Sequence, residues 1–300
     1  METRARTAKS AGLAGTVSCL EARLIEMLRR IFLALCLLAG LTGLAQAQGF
    51  DNAPWDALLK KHVQILRAGQ ATEVDYDGFK VERASLQSFL DSTSKVTRPE
   101  FDRWSNPAQL AFLINAYNAW TVELVLTGYP GIKSIKDLGS FIQSPWKKRF
   151  IPLLGETRSL DDIEHGLIRG SGRYNDPRIH FAVNCASIGC PALRAEAYVT
   201  ERLNAQLEDA TQMFLSDRTR NRVESDTLKV SSIFKWYRPD FEKAWRGANT
   251  LGQFLALYGG PLGLNSDSAS HLSAGKLGIE FLDYDWRLNV ISSSTRGGKP

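Results

Sequence analysis

Apolar residues recur at helical spacing along much of the chain. Trp55, Leu58, Leu59, Val63 and Leu66 follow Asp51, Asn52 and Pro54, so a helix is predicted there, ended by Gly69. Val74 to Gly78 reads as a short extended or turn segment, and a second helix is expected from about Val81 to Leu90. Ser105-Asn106-Pro107 opens the strongest helical pattern. Leu110, Leu113, Ile114, Tyr117, Trp120, Leu124 and Val125 form its apolar face, and it stops at Gly128. Asn115, Asn118 and Glu123 lie within it and must find partners if they are buried. Arg149 to Leu154 and Glu156 to Ser159 predict a hairpin turning at Gly155. Ser159 with Asp162 then makes a capping box for a helix over residues 160–169, stopped by Gly170-Ser171-Gly172.

Residues 178–185 read as a strand that runs into a tight loop with Cys185 and Cys190, punctuated by Gly189 and Pro191. Thr200 is expected to cap a helix reaching about Leu215, and Leu228 to Val230 reads as a strand. Further helices are predicted from Pro239 to Trp245 and from Leu251 to Tyr258. A late strand with alternating character is predicted from Ile279 to Trp286. Helices predominate and the strands do not alternate with them regularly. The expected fold is therefore α+β: a helix-rich single domain, residues 50–290, around a small mixed or antiparallel sheet.

The N-terminal region has a different character. Arg29-Arg30, the apolar run from Ile31 to Leu44 and Ala45-Gln46-Ala47 have the layout of a secretory signal peptide over about 27–47, cleaved after Ala47. Met27 is a plausible true start, with residues 1–26 upstream of it. The mature protein is expected to be periplasmic or secreted, with no stable membrane span, and Ser292 to Pro300 reads as a disordered tail. Six of the 37 cations and three of the 32 carboxylates precede residue 48, leaving 31 against 29, a net charge of +2. That balance removes the case for nucleic acid as a partner. Lys147-Lys148-Arg149 is the one dense basic cluster and reads as a solvated hairpin end. Cys19 and Cys36 fall in the leader, so the mature chain keeps Cys185 and Cys190 alone.

Several long blocks resemble a known family. Phe112 to Ala119, Leu160 to His165, Asp176 to Ala182 with Asn184 to Leu193, and Tyr284 to Asn289 stand in the order of the family called domain of unknown function 547. The resemblance implies an exported bacterial protein. Because some plant members join this domain to a glutaredoxin-like module, it also points to thiol or glutathione-related chemistry.

The thiol loop leaves several readings open. Cys185 and Cys190 have a spacing that permits a structural disulfide in an oxidising compartment. Alternatively Cys185 is a nucleophile, which needs a partner that lowers its pKa. His165 is the favoured base. His180, five residues before Cys185, falls on the opposite face of a continuous strand. Asn115, Asn118, Glu123 or Asn184 is then the orienting group or oxyanion donor, with the backbone of Asn184 to Ser187 completing the oxyanion site. This reading predicts a thiol-dependent hydrolase or transferase acting on an amide or thioester of a small-molecule or peptide-like substrate. The same pair fits a thiol-disulfide redox protein, although C-x₄-C is not the C-x-x-C of such proteins. Zinc held by Cys185, Cys190, His165 and His180 matches a Cys₂His₂ donor set but lacks an H-x₃₋₅-H element. A non-catalytic envelope binding module, its recognition loop shaped by the bridge, is the reading from a different class. No nucleotide or dinucleotide fingerprint is present, so no cofactor is expected.

Overall fold

The computed structural model describes residues 49–291, together with Glu26, Met27 and Arg29. The chain divides into two units, Met1–Ala47 and Gln48–Pro300. The predicted leader and the tail from Ser292 lie outside the described residues. All the elements named below belong to the second unit. Among the described residues no helix is long and apolar enough to cross a membrane.

The Asn106–Leu126 helix is the spine of the fold. Ser105 caps it, its Oγ accepting from the Ala108 N–H, and Pro107 occupies the first turn, where no N–H is needed. Every residue from Ala108 to Leu126 is buried, so the single apolar face expected from the sequence is in fact burial all round. Helices Ala53–His62, Tyr76–Val81 and Arg83–Lys95 pack around it, and the hydrophobic cluster that results includes Trp55, Phe79, Phe89, Phe112 and Ile179. A second cluster gathers Phe181, Phe214, Phe234, Phe241 and Phe254.

The sheets are small, as the α+β reading requires. β1 (Val63–Leu66) pairs antiparallel with β2 (Ala71–Val74), and β3 (Ile151–Leu153) with β4 (Glu156–Arg158). β5 (Arg222–Glu224) pairs antiparallel with β6 (Thr227–Ser231), which pairs parallel with β7 (Gly278–Leu282), so this last sheet is mixed.

Several local expectations need correction. The first helix ends at His62, and Val63 to Leu66 form β1. The chain reverses at Arg67, Ala68 and Gly69, all with positive φ, and a β-branched residue at the break favours the ladder over another helical turn. Residues 178–182 are not a strand. Asp176 caps a 3₁₀ turn over Pro177–Phe181, its Oδ1 accepting from the Arg178 N–H. Pro177 carries no N–H for a ladder and suits the first helical position. The late strand ends at Leu282, and the helix predicted from Pro239 is one turn, Arg238–Phe241. The Ser159 and Asp162 capping box is present, each side chain accepting from the other's backbone N–H. The helix it opens widens into a π-helix over Asp162–Arg169, closed by the Gly170 N–H to the His165 carbonyl. A Cβ on Gly170 would lie 2.6 Å from that carbonyl oxygen, so glycine is required there.

The polar residues of the central helix fasten loops to it. Asn115 donates Nδ2 to the Tyr198 carbonyl at 2.8 Å and accepts the Tyr198 N–H at 3.0 Å. Glu123 pairs with Arg83. Asn115→Ala would strand two buried backbone groups. It should lower unfolding stability by about 2–3 kcal/mol in urea titration while leaving the reactivity of Cys185 unchanged.

Candidate functional site

The 3₁₀ turn Pro177–Phe181 joins the two hydrophobic clusters: Ile179 packs in the first and Phe181 in the second, with His180 between them. Directly after it the chain makes the thiol loop. Asn118, on the central helix, holds both ends of the junction. Its Nδ2 donates to the Ala182 carbonyl at 2.9 Å, and its Oδ1 accepts the Asn184 N–H at 2.8 Å. Asn184 then folds the loop on itself, accepting the Ala186 N–H at 2.9 Å and donating to the Pro191 carbonyl at 2.7 Å. This holds Ala186 at φ 59°, a left-handed conformation that costs a non-glycine residue about 1–2 kcal/mol.

The segment after β7 lies against the loop. The Ile188 and Gly189 N–H groups donate to the Arg287 and Asp285 carbonyls, both at 2.8 Å. A Cβ on Gly189 would lie 2.9 Å from the Asp285 nitrogen, so only glycine permits the approach.

The loop and its neighbours enclose a cleft of about 210 Å³. Cys185, Cys190, His165, His180, Glu164 and Tyr284 line it, among others. Cys185 is half-buried and Cys190 buried, and both thiols are free. The disulfide expected as one alternative is not formed; instead the Cys185 N–H donates to Cys190 Sγ at 2.7 Å. Tyr284 Oη and Ser187 Oγ lie 3.1 and 3.3 Å from Cys185 Sγ.

These contacts divide the two sulfurs electrostatically. Burial pushes the Cys185 thiol up, but hydrogen bonds from Cys190, Ser187 and Tyr284 outweigh it and leave its pKa below that of an ordinary thiol. Burial pushes Cys190 well up, reinforced by its hydrogen bond to Cys185 and by that group's charge. The arrangement is an accessible sulfur disposed to ionise beside a buried one that keeps its proton. Tyr284 is raised well above its usual value by burial and by the Cys185 charge, so it stays a donor.

Neither imidazole is hydrogen-bonded to Cys185 Sγ; the polar contacts of that sulfur are with the Ser187 and Tyr284 hydroxyls and the Cys190 thiol. His165, half-exposed, has Nδ1 2.9 Å from Arg169 Nη1, and its Nε2 is 3.8 Å from Asp161. His180 is buried. Its Nε2 lies 2.8 Å from Asp240 Oδ2, its ring stacks on Tyr237 at 4.0 Å, and its Nδ1 has no hydrogen-bond partner. Burial lowers the His180 pKa despite the Asp240 hydrogen bond, so the ring is neutral at neutral pH. Burial alone would raise Asp240, but His180, Arg169 and Lys243 hold it far below the carboxylate range. An ionised Asp240 requires the proton on Nε2, which leaves the Nδ1 lone pair free.

Of the residues singled out from the sequence, Cys185, Cys190, His165 and His180 meet in one cleft, and Asn115 and Glu123 do not join them. Asn115 is engaged by Tyr198 and Glu123 by Arg83. Asn118 and Asn184 shape the loop and do not line the cleft. The Asn184, Cys185 and Ala186 N–H groups are all engaged, so three of the four backbone donors expected for an oxyanion site are taken. The opposite-face argument against His180 fails because there is no strand. Among the described residues no group of three or more His, Cys, Asp or Glu side chains converges as a metal site, the expected zinc set included. Asp240, Tyr284, Ser187 and Tyr237 carry roles that sequence reasoning does not assign. Of these, only Tyr284 and Ser187 lie within the blocks that carry the family resemblance.

The fold and site together define an α+β protein with an asymmetric thiol pair in an aromatic cleft. Residues 101–215 match the family described as Protein of unknown function, DUF547. That segment holds both thiols and both imidazoles, while Asp240 and Tyr284 lie beyond it. No curated protein and no solved structure matches the chain.

Removing one hydroxyl tests the electrostatic reading. Tyr284→Phe should slow alkylation of Cys185 at neutral pH by about tenfold, since a hydrogen bond to a charged group contributes about 1.5–3 kcal/mol. The midpoint of the rate-against-pH curve should move upward. An unchanged midpoint would mean that the hydroxyl does not stabilise the thiolate.

Proposed function

We propose that the protein is a thiol-dependent acyl hydrolase or transferase, exported to the periplasm or secreted, with Cys185 as nucleophile and thioesters as its substrate class. The observation that carries this reading is the lowered pKa of Cys185 in a cleft shared with an Asp240-oriented, neutral His180. Of the two imidazoles, His180 is the better base than His165, because a buried carboxylate fixes its tautomer and its free nitrogen is Nδ1.

The chemistry follows from the protonation states. The Cys185 thiolate attacks the acyl carbon and the carbonyl bond opens to an oxyanion. As charge leaves the sulfur, the Tyr284 and Ser187 hydroxyls that held it are placed to donate to that oxygen. The carbonyl re-forms and the substrate's C–S bond breaks, the leaving group departing as a thiolate that needs no proton from the enzyme. An amide would need its amine protonated, and a neutral His180 has no proton on Nδ1 to give; this favours the thioester over the amide. Water, or another acceptor, then attacks the acyl-enzyme while His180 Nδ1 takes its proton. Cys185 leaves as thiolate, and the imidazolium returns its proton to solvent.

One observation favours a second reading. The Cys190 thiol hydrogen-bonds Cys185, and the accessible sulfur is the one whose pKa is lowered. That is the arrangement needed for Cys185 to attack a substrate disulfide, forming a mixed disulfide that Cys190 resolves. The enzyme disulfide would then be reset by an external thiol.

Cys190→Ala separates the two. Acyl transfer predicts that Cys185→Ser abolishes thioester cleavage while Cys190→Ala retains it, slowed by about tenfold through the lost donor. An acyl adduct on Cys185 should appear in intact-mass spectra of quenched reactions. Complete loss in Cys190→Ala, with disulfide reduction in the parent protein, would reject acyl transfer in favour of the dithiol cycle.

A further inference from the structure

We propose that the turn at residues 140–143, with the cations around it, docks the protein onto an anionic lipid bilayer. The turn is built, not frayed. The Ser140 N–H donates to the Gln143 carbonyl at 2.9 Å, and Ser140 Oγ accepts the Gln143 and Ile142 N–H groups at 3.1 and 3.4 Å. A Cβ on Gly139 would meet the Gln143 carbonyl and the Pro145 ring within 3 Å, so the two arms of the loop close tightly at its base. What this scaffold holds out is Phe141 and Ile142, 112% and 97% exposed, at adjacent positions. Isolated exposed apolar residues are common; two neighbours projected whole into solvent by a hydrogen-bonded turn are not.

The stretch of chain around the tip is mainly cationic, with Arg149 facing Asp162 at 3.8 Å. Residues 131–150 contain Lys133, Lys136, Lys147, Lys148 and Arg149 against a single carboxylate, Asp137. Asp137 is occupied by the Lys133 and Ser134 N–H groups at 2.8 and 3.0 Å. The cations are exposed. An apolar wedge with a cationic collar matches an anionic bilayer surface, where the wedge enters the headgroup boundary and the collar faces phosphates. A convex tip of two side chains cannot bury the roughly 800 Å² per partner of a stable protein interface, which argues against a second copy or a folded partner as the occupant.

The tip also lies beside the cleft. Ser144 and Trp146, shortly after the turn in the chain, line the cleft, and Trp146 makes an edge contact at 5.8 Å with Trp286, whose face Lys136 covers at 3.6 Å. Trp286 packs at 4.5 Å on Tyr284, the residue that touches Cys185. Indoles in such a belt suit the membrane interface. Docking through the tip would set the mouth of the cleft against the lipid surface, whatever reaction Cys185 performs.

The test is flotation of the full chain with phosphatidylcholine vesicles, with and without phosphatidylglycerol, at low and high salt. The proposal expects binding that requires the anionic lipid and weakens with salt. Phe141→Ser/Ile142→Ser should lower the partition coefficient by at least about tenfold. Lys147→Gln/Lys148→Gln should lower it by about twenty-five-fold, at about fivefold per cation. Both variants should keep the parent's melting temperature and Cys185 alkylation rate. Equal binding to neutral vesicles, no binding to either kind, or variants that bind like the parent would each overturn the proposal. A dimer that forms through Phe141 in the absence of lipid would overturn it in favour of a second copy.

Discussion

Asn118 sits on a helix buried along almost its whole length, and its one amide fixes where the thiol loop begins. It takes the Asn184 N–H and gives to the Ala182 carbonyl, so the loop is referenced to the most rigid element of the fold. Asn184 continues the same logic inside the loop and offsets the strain of the left-handed Ala186. The chain after β7 fastens the loop through backbone bonds to Ile188 and Gly189. Reactive groups are aimed well when the elements beneath them cannot move, and here three separate parts of the chain converge on one short loop.

That rigidity matters because the electrostatic contrast between the sulfurs depends on short distances. The two thiols share one loop, yet they shift in opposite directions. Desolvation acts on both. What separates them is hydrogen bonding: the bonds with Cys190, Ser187 and Tyr284 outweigh burial at Cys185, whereas at Cys190 the side-chain bond with Cys185 adds to it. Neither imidazole is hydrogen-bonded to Cys185, and His180 is neutral. Burial keeps it neutral against the pull of Asp240, which fixes its tautomer, and Asp240 is in turn held ionised by Arg169 and Lys243.

Part of this architecture is legible in the sequence. The central helix, its Ser105 cap, the Ser159 and Asp162 box and the α+β character all follow from periodicity and capping residues, which are local signals. The thiol pair stands out for the same reason. The strand expected around His180 fails because Ile179, Phe181, Ala182 and Val183, apolar on either side of the histidine, suit a strand as well as a buried turn. Asp176-Pro177, a cap followed by a residue without an N–H, is the local cue that favours the turn. Val63 to Leu66 keep helical spacing by accident, and only pairing with β2 decides their conformation. Asp240 and Tyr284 are beyond local reasoning. Each lies far along the chain from the group it serves, and a carboxylate in an aromatic stretch carries no mark of the histidine it will meet.

The central claim is that Cys185 ionises first and Cys190 keeps its proton. Site-resolved carbon NMR of the two cysteine Cβ nuclei across a pH series tests it directly. The account predicts that Cys185 titrates below the range of a free thiol while Cys190 remains protonated well above it. Titration of Cys185 at or above the free-thiol range, or of Cys190 before it, would contradict the account.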